Sequence, residues 1–250
     1  IIKFFIKKGM VYIYNGTKIN YRFVNGKSTC PILLLHGWGC DGSIFDKLTK
    51  FFPEKSFLVL DFPPFGKSER SIARWNIYSY VGMVMSLCEH LHIDKCDILA
   101  HSFGGRVALI LCAVKRSLVH SCILVDSAGM KPHFNLKRKI KVIRYKISKK
   151  LGKNTQNFGS NDYLALSDEH KGVFVSVVNT YLEDYCRRNC VNTLIVWGEQ
   201  DDDTPLYMAK RINKLIRNSK LKVIKNAGHF CFLDCPLEFY KIIGDFWEAT

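Results

Sequence analysis

The sequence predicts an α/β protein: a mostly parallel sheet of about eight strands, covered by helices on both faces and interrupted by one helical insertion. Three observations carry this. From residue 32 onward, short apolar runs alternate with helix-patterned stretches, the signature of parallel strands buried on both sides. Ahead of them, two strand-like segments flank Asn15-Gly16, a hairpin-turn dipeptide, so the chain opens antiparallel. Between 131 and 190 the alternation stops, and helical patterns recur without a good strand.

The opening strands are Tyr12–Tyr14 and Lys18–Val24. The apolar runs are Ile32–Leu35, Phe57–Leu60, Asp97–Ala100, Cys122–Val125, Thr193–Trp197 and Leu221–Ile224, all short enough to be strands. Helical patterns fall at Ile44–Phe52, Tyr78–Leu91, Gly105–Val114, Pro205–Ile216 and Pro236–Trp247. Residues 1–130 and 191–250 are therefore expected to form one core, and 131–190 a helical cap. Within the cap, Leu136, Ile140, Ile143, Ile147 and Leu151 recur at three- and four-residue steps, leaving Lys137, Lys141 and Arg144 on other faces. A second stripe, Val173, Phe174, Val177 and Tyr181, follows Ser167, an expected N-cap with Asp168 and Glu169 in the first turn.

Composition bounds the rest. With 250 residues, 48% hydrophobic and 24% charged, the chain is an ordinary folding sequence. It buries enough surface to need no disulfide or metal staple. The longest apolar run, Val107–Val114, is far short of the roughly 20 residues of a membrane span, so none is expected. The first eight residues interleave Lys with apolar residues and lack a long apolar core and a small-residue cleavage site, so a secretion signal is not expected; a natural start upstream of Ile1 and one at Met10 both stay open. Of the ten cysteines, Cys96, Cys112 and Cys122 sit in apolar runs and read as reduced core residues, which points to the cytoplasm. The pairs Cys186/Cys190 and Cys231/Cys235 lack zinc-site spacing, and no metal is expected. Net charge is +15, and thirteen bases against five acids place +8 of it on 131–190. Few aromatics stand among those bases, which argues against nucleic acid. Two explanations stay open, a lysine-rich codon bias and steering of an anionic partner.

Four segments carry chemistry. Asp97–Ala100 runs into His101-Ser102-Phe103-Gly104-Gly105 and then a helix: strand, sharp turn, helix, with small residues where a strained turn that exposes the Ser102 hydroxyl needs them. Taken alone, such a serine also reads as a helix N-cap. Ile32–Leu35 ends in His36-Gly37-Trp38-Gly39, Thr193–Trp197 in Gly198-Glu199-Gln200-Asp201, and Leu221–Ile224 leads into Asn226-Ala227-Gly228-His229-Phe230. A serine, an acid and a histidine thus follow three strands in that order.

In these residues the chain resembles the serine branch of the α/β-hydrolase family, whose elbow is usually Gly-x-Ser-x-Gly; Ala100 replaces the first glycine with another small residue. The resemblance implies a nucleophile Ser102, a general base His229 and an acid Asp201, with Asp126 the alternative acid because some members place theirs after that strand. It implies an oxyanion hole from the backbone N–H groups of Trp38 and Phe103, and a pocket bordered by His36, Gly37, Phe65, His101 and Phe230. Asp202 and Asp203 crowd the same turn, but Thr204-Pro205 reads as an N-cap and first helical residue, where acids are at home. Asp61-Phe62-Pro63-Pro64-Phe65-Gly66-Lys67-Ser68 is close to a turn of the family, with Pro64 in place of a glycine; proline cannot take positive φ. A serine at the elbow separates the chain from haloalkane dehalogenases and epoxide hydrolases, which carry aspartate there. His36-Gly37-Trp38-Gly39 with a short cap resembles small bacterial carboxylesterases, among them pimeloyl-acyl-carrier-protein methyl ester esterases. The implied activity is hydrolysis of a small-molecule carboxylic ester, thioester or lactone through an acyl-enzyme on Ser102, with no cofactor. An acidic acyl carrier protein is the implied partner at the basic cap. The alternatives are a carbon–carbon bond hydrolase of ring-cleavage products and a ligand-binding signalling relative that is not an enzyme.

Overall fold

The opening hairpin pairs β1 (Met10–Tyr14) with β2 (Thr17–Val24) antiparallel, Tyr14 opposite Thr17. Asn15 and Gly16, at φ 47° and 82°, supply the two left-handed residues that a two-residue type I′ turn requires. β2 continues antiparallel onto β4 (Phe57–Leu60). From there the sheet is parallel through β3 (Ile32–Leu35), β5 (Cys96–His101), β6 (Val119–Val125), β7 (Asn192–Gly198) and β8 (Ser219–Ile224). The order is β1-β2-β4-β3-β5-β6-β7-β8, eight strands in one sheet. This computed structural model describes residues 9–24, 30–70, 72, 75–133, 166 and 168–250.

Both faces of the sheet are covered, which is why β3 and β4 read as unbroken apolar runs. Successive β3 residues point to opposite faces: Leu33 and Leu35 join one apolar cluster, Ile32 and Leu34 the other. The first cluster is closed by α2 (Ile77–His90), α3 (Phe103–Val114) and α6 (Tyr207–Leu215), the second by α1 (Asp46–Phe51) and α8 (Pro236–Glu248). α2 opens with Asn76, whose side chain accepts from Tyr78 and Ser79 N–H while Ser79 Oγ accepts from Asn76 N–H, a reciprocal cap. A one-turn helix, α7 (Cys231–Asp234), follows the His229 turn; the sequence reading contained no such element.

Part of the segment expected as a cap lies outside the described residues, including the stripe Leu136 to Leu151 and Ser167. Its described part forms α4 (Asp168–Val178) and α5 (Glu183–Arg188). Val173 and Val177 of α4 are buried, as the stripe implies, whereas Tyr181 lies beyond the helix and is exposed. Leu182 and Cys186 are fully buried and join the cluster under α3, so α5 packs on the main sheet's own helical layer. The C-terminus of α4 is held by Arg106 of α3, whose buried guanidinium donates to the carbonyls of Val177 at 3.0 Å, Val178 at 3.3 Å and Thr180 at 2.7 Å. Val177 O also accepts from Thr180 N–H at 3.2 Å, so the guanidinium adds to the backbone bonding where a helix end leaves carbonyls short of partners. No helix among the described residues is long and apolar enough to cross a membrane.

Candidate active site

β5 ends at His101 and α3 begins at Phe103, which leaves Ser102 alone to reverse the chain, at φ 49° and ψ −110°. A side-chain-bearing residue in that region costs on the order of 1–3 kcal/mol and persists only where the surroundings dictate it. Here they do. Ser102 N–H donates to Val125 O at 3.0 Å, and Ser102 O accepts from Gly105 and Ala128 N–H, both at 3.0 Å. A Cβ on Gly104 would stand 2.2 Å from Leu35 O, so only glycine lets α3 start this close to β3. Ser102 makes no side-chain cap to its helix, which sets aside the N-cap reading and leaves the hydroxyl to face other groups.

The hydroxyl meets His229. Ser102 Oγ lies 3.0 Å from His229 Nε2, and His229 Nδ1 lies 2.9 Å from Asp201 Oδ2. Burial alone would raise Asp201 and lower His229; the hydrogen bond and opposite charge between them outweigh it, leaving Asp201 below and His229 above their ordinary values. An ionised Asp201 puts the imidazole proton on Nδ1 and leaves Nε2 as an acceptor for Ser102 O–H. Asp201 is fixed in turn by N–H groups of Asp203 at 2.9 Å and Thr204 at 2.8 Å, both on Oδ1, and by Thr204 Oγ1, which donates to Oδ2 at 2.6 Å. The expectation that Thr204-Pro205 starts a helix is corrected by this: α6 begins at Tyr207, and Thr204 orients the acid instead. The Asp-Asp-Asp-Thr run held that signal, but a helix start and a carboxylate-capped turn look alike in sequence.

Asp126, the alternative acid, is fully buried at φ 45°, and its oxygens accept from Gly198 N–H at 2.8 Å and Cys231 N–H at 3.3 Å. It ties the end of β7 to the His229 loop, and the carboxylate facing the imidazole is Asp201. Burial, aided by the Asp201 charge, pushes Asp126 up to about 7.

The expected oxyanion residues meet beside Ser102. Trp38 packs edge-on against Phe103 at 5.3 Å, bringing the loop after β3 to the first turn of α3. A Cβ on Gly37 would lie 3.3 Å from Ser102 Cβ and 2.8 Å from His101 Nδ1, so this loop too must be glycine to approach. Phe103 heads α3, where a helix N–H has no intrahelical partner. Phe174 of α4 covers the outer face of Trp38 at 5.2 Å.

Of the five expected pocket residues, the structure places Phe65 on the wall of a cleft of about 410 Å³ beside the loop after β3, with Gly39, Arg70 and His170. The others stand elsewhere. His36 is fully buried: its Nε2 accepts from Phe62 N–H at 2.7 Å and its Nδ1 donates to Gly37 O at 2.8 Å, so it braces the loop from behind and stays neutral. Gly37 is buried against Ser102. His101 is buried, donates from Nε2 to His229 O at 2.8 Å, and is pushed down to about 3 by burial and by His229. Phe230, half-buried, packs at a tilt against His101, ring centroids 4.9 Å apart. In the turn after β4, positive φ falls on Gly66 at 59°, against the Asp61 carboxylate, so Pro64 is not asked to adopt it.

Comparison with known proteins agrees with the fold. The profile of the family described as alpha/beta hydrolase fold matches residues 31–176. A putative esterase/lipase of Mycoplasma pneumoniae is 27% identical, covering 86% of this chain and 88% of its own. Among solved structures, an esterase from Exiguobacterium antarcticum superposes with a TM-score of 0.76 at 22% identity, over 94% of this chain and 97% of that one. A meta-cleavage product hydrolase from Pseudomonas fluorescens superposes at 0.75 and 18% identity, over 98% and 99%.

Proposed function

The chain belongs to the alpha/beta hydrolase family, and from that premise we propose that it hydrolyses a small carboxylic ester, thioester or lactone through an acyl-enzyme on Ser102. The observation that carries the proposal is the hydrogen-bonded series Ser102 Oγ, His229 Nε2, His229 Nδ1, Asp201 Oδ2, with the serine held in a strained turn. As Ser102 Oγ attacks the carbonyl carbon, its proton passes to His229 Nε2, and Asp201 stabilises the imidazolium that forms. Charge on the former carbonyl oxygen falls to the N–H groups of Trp38 and Phe103, each such donor worth roughly 3 kcal/mol in a dry site. Collapse breaks the ester bond, and the departing alkoxide takes the proton from Nε2. Water then attacks the acyl-serine, giving its proton to the same nitrogen, and the carboxylic acid leaves as Ser102 recovers its hydrogen.

The test is a panel of p-nitrophenyl esters from acetate to dodecanoate, together with a fluorophosphonate probe. Turnover with one label, at Ser102, and a loss of about a millionfold in Ser102→Ala is expected. More than a tenth of parental activity in that variant would refute the assignment. Turnover of a vinylogous diketo acid without ester hydrolysis would move the same residues to carbon–carbon cleavage, and ligand-induced stabilisation without turnover would make the chain a binder. An acidic acyl carrier as the substrate's bearer belongs to the same proposal through the +8 on 131–190. Carrier-bound ester should then lose kcat/KM with added salt while a neutral ester does not.

A further inference from the structure

At the end of the sheet remote from Ser102, three donors of different kinds converge. Cys30 lies two residues ahead of β3, Asp97 is the second residue of β5 and His120 the second of β6, and β5 runs between the other two strands. The pairing of β5 with β6 slips here: Cys96 faces Val119 but Ile98 faces Cys122, so both His120 and Ser121 oppose Asp97. This bulge lets two consecutive residues reach one carboxylate. His120 Nδ1 lies 3.1 Å from Asp97 Oδ1, and Ser121 Oγ donates to the same oxygen at 2.6 Å. The Cys30 sulfur, the His120 nitrogen and an Asp97 oxygen all fall within 4.8 Å of one another. The Asp97 side chain is 15% exposed and that of His120 35%, which leaves the cluster a mouth to solvent.

We propose that Cys30, Asp97 and His120 form a binding site for one divalent cation of the zinc type, with water in the fourth position. A thiolate, an imidazole and a carboxylate suit Zn(II), whereas Mg(II) and Ca(II) take oxygen ligands. Bond lengths of 2.0–2.3 Å place tetrahedral donors about 3.6 Å apart, so these need close only slightly, and two of them are already in hydrogen-bond contact. Binding displaces the thiol proton of Cys30 as the metal–sulfur bond forms. The ion would staple the lead-in to β3 to β5 and β6. It stands five residues along β5 from Ser102, on the order of 16 Å, and takes no part in hydrolysis. Sequence spacing gives no hint of it, since 67 and 23 residues separate the ligands.

The test uses the full chain after chelation and dialysis, titrated with Co(II). A thiolate-to-cobalt charge-transfer band saturating at one equivalent and displaced by Zn(II) is expected, with a melting temperature that rises with Zn(II). Cys30→Ser and His120→Gln should each weaken binding at least roughly tenfold, while Cys190→Ser, which removes an exposed thiol elsewhere, should leave it unchanged. Turnover at Ser102 reports that each variant is folded. No saturating band, or a band that survives in the folded Cys30 and His120 variants, would show the cluster to be a hydrogen-bonded group and nothing more.

Discussion

Replacing Asp126 with asparagine, set beside Asp201→Asn, separates two buried carboxylates that serve one histidine loop in different ways. Asp126 is fully enclosed, and its pKa stands at about 7 against 3.8 for a free side chain. A carboxylate raised in this way keeps its proton in the folded state after the unfolded chain has lost it, so stability falls as pH rises from about 4 to about 7. The difference corresponds to on the order of 4 kcal/mol across that window. The substituted amide cannot ionise. It retains an acceptor for Gly198 N–H and loses the longer bond from Cys231 N–H, a fixed cost of about 1–3 kcal/mol. Relative to the parent, the variant should therefore be less stable at pH 4, gain steadily toward pH 7 and level off above it. Urea midpoints measured across pH 4–8 read this directly. In the same preparations Asp126→Asn should keep ester turnover within about tenfold, while Asp201→Asn should lose about 10⁴ through the wrong imidazole tautomer. A stability difference that does not move with pH would refute the burial argument. Greater damage to turnover from Asp126→Asn than from Asp201→Asn would transfer the catalytic acid.

His101→Leu removes the donor to the His229 carbonyl and should lower kcat by roughly tenfold or more with little change in KM; His101→Gln, which can still donate, should recover part of it, and equal loss in both would show mere packing. The acid limb of kcat/KM should have its midpoint above 6.5, because His229 must be neutral to accept the serine proton and Asp201 raises its proton affinity; a limb at or below that value would sever the coupling. Arg106→Met removes the guanidinium donor shared by three carbonyls at and just after the end of α4 and should cost about 1–3 kcal/mol by urea denaturation, with KM rising more than kcat falls, since α4 carries Phe174 over Trp38. Unchanged KM would detach α4 from the substrate side.

What the sequence showed and what it hid divide along a physical line. Features set by period or by a required backbone conformation were legible. β3 and β4 are buried on both faces and so appear as unbroken apolar runs, the Asn15-Gly16 turn needs two left-handed residues, and the serine turn needs Gly104 because a Cβ would strike Leu35 O. The order serine, acid, histidine after three strands then brought Ser102, Asp201 and His229 into one hydrogen-bonded line. Features that arise where distant strands meet were not. His36 and His101 are implied as pocket residues by the resemblance, yet both rings turn inward: His36 bonds the Gly37 carbonyl and Phe62 N–H, and His101 bonds the His229 carbonyl through Nε2. Thr204 shows the same limit at shorter range, where one run of acids before a threonine fits a helix start and an acid-orienting turn equally well until His229 is brought across from β8. A polar residue at a strand end declares its chemistry in the sequence, but its partner is chosen by topology. The strand order, with β5 central, therefore decides that the upper end of this sheet gathers a serine and a histidine while its lower end gathers a cysteine, an aspartate and a histidine.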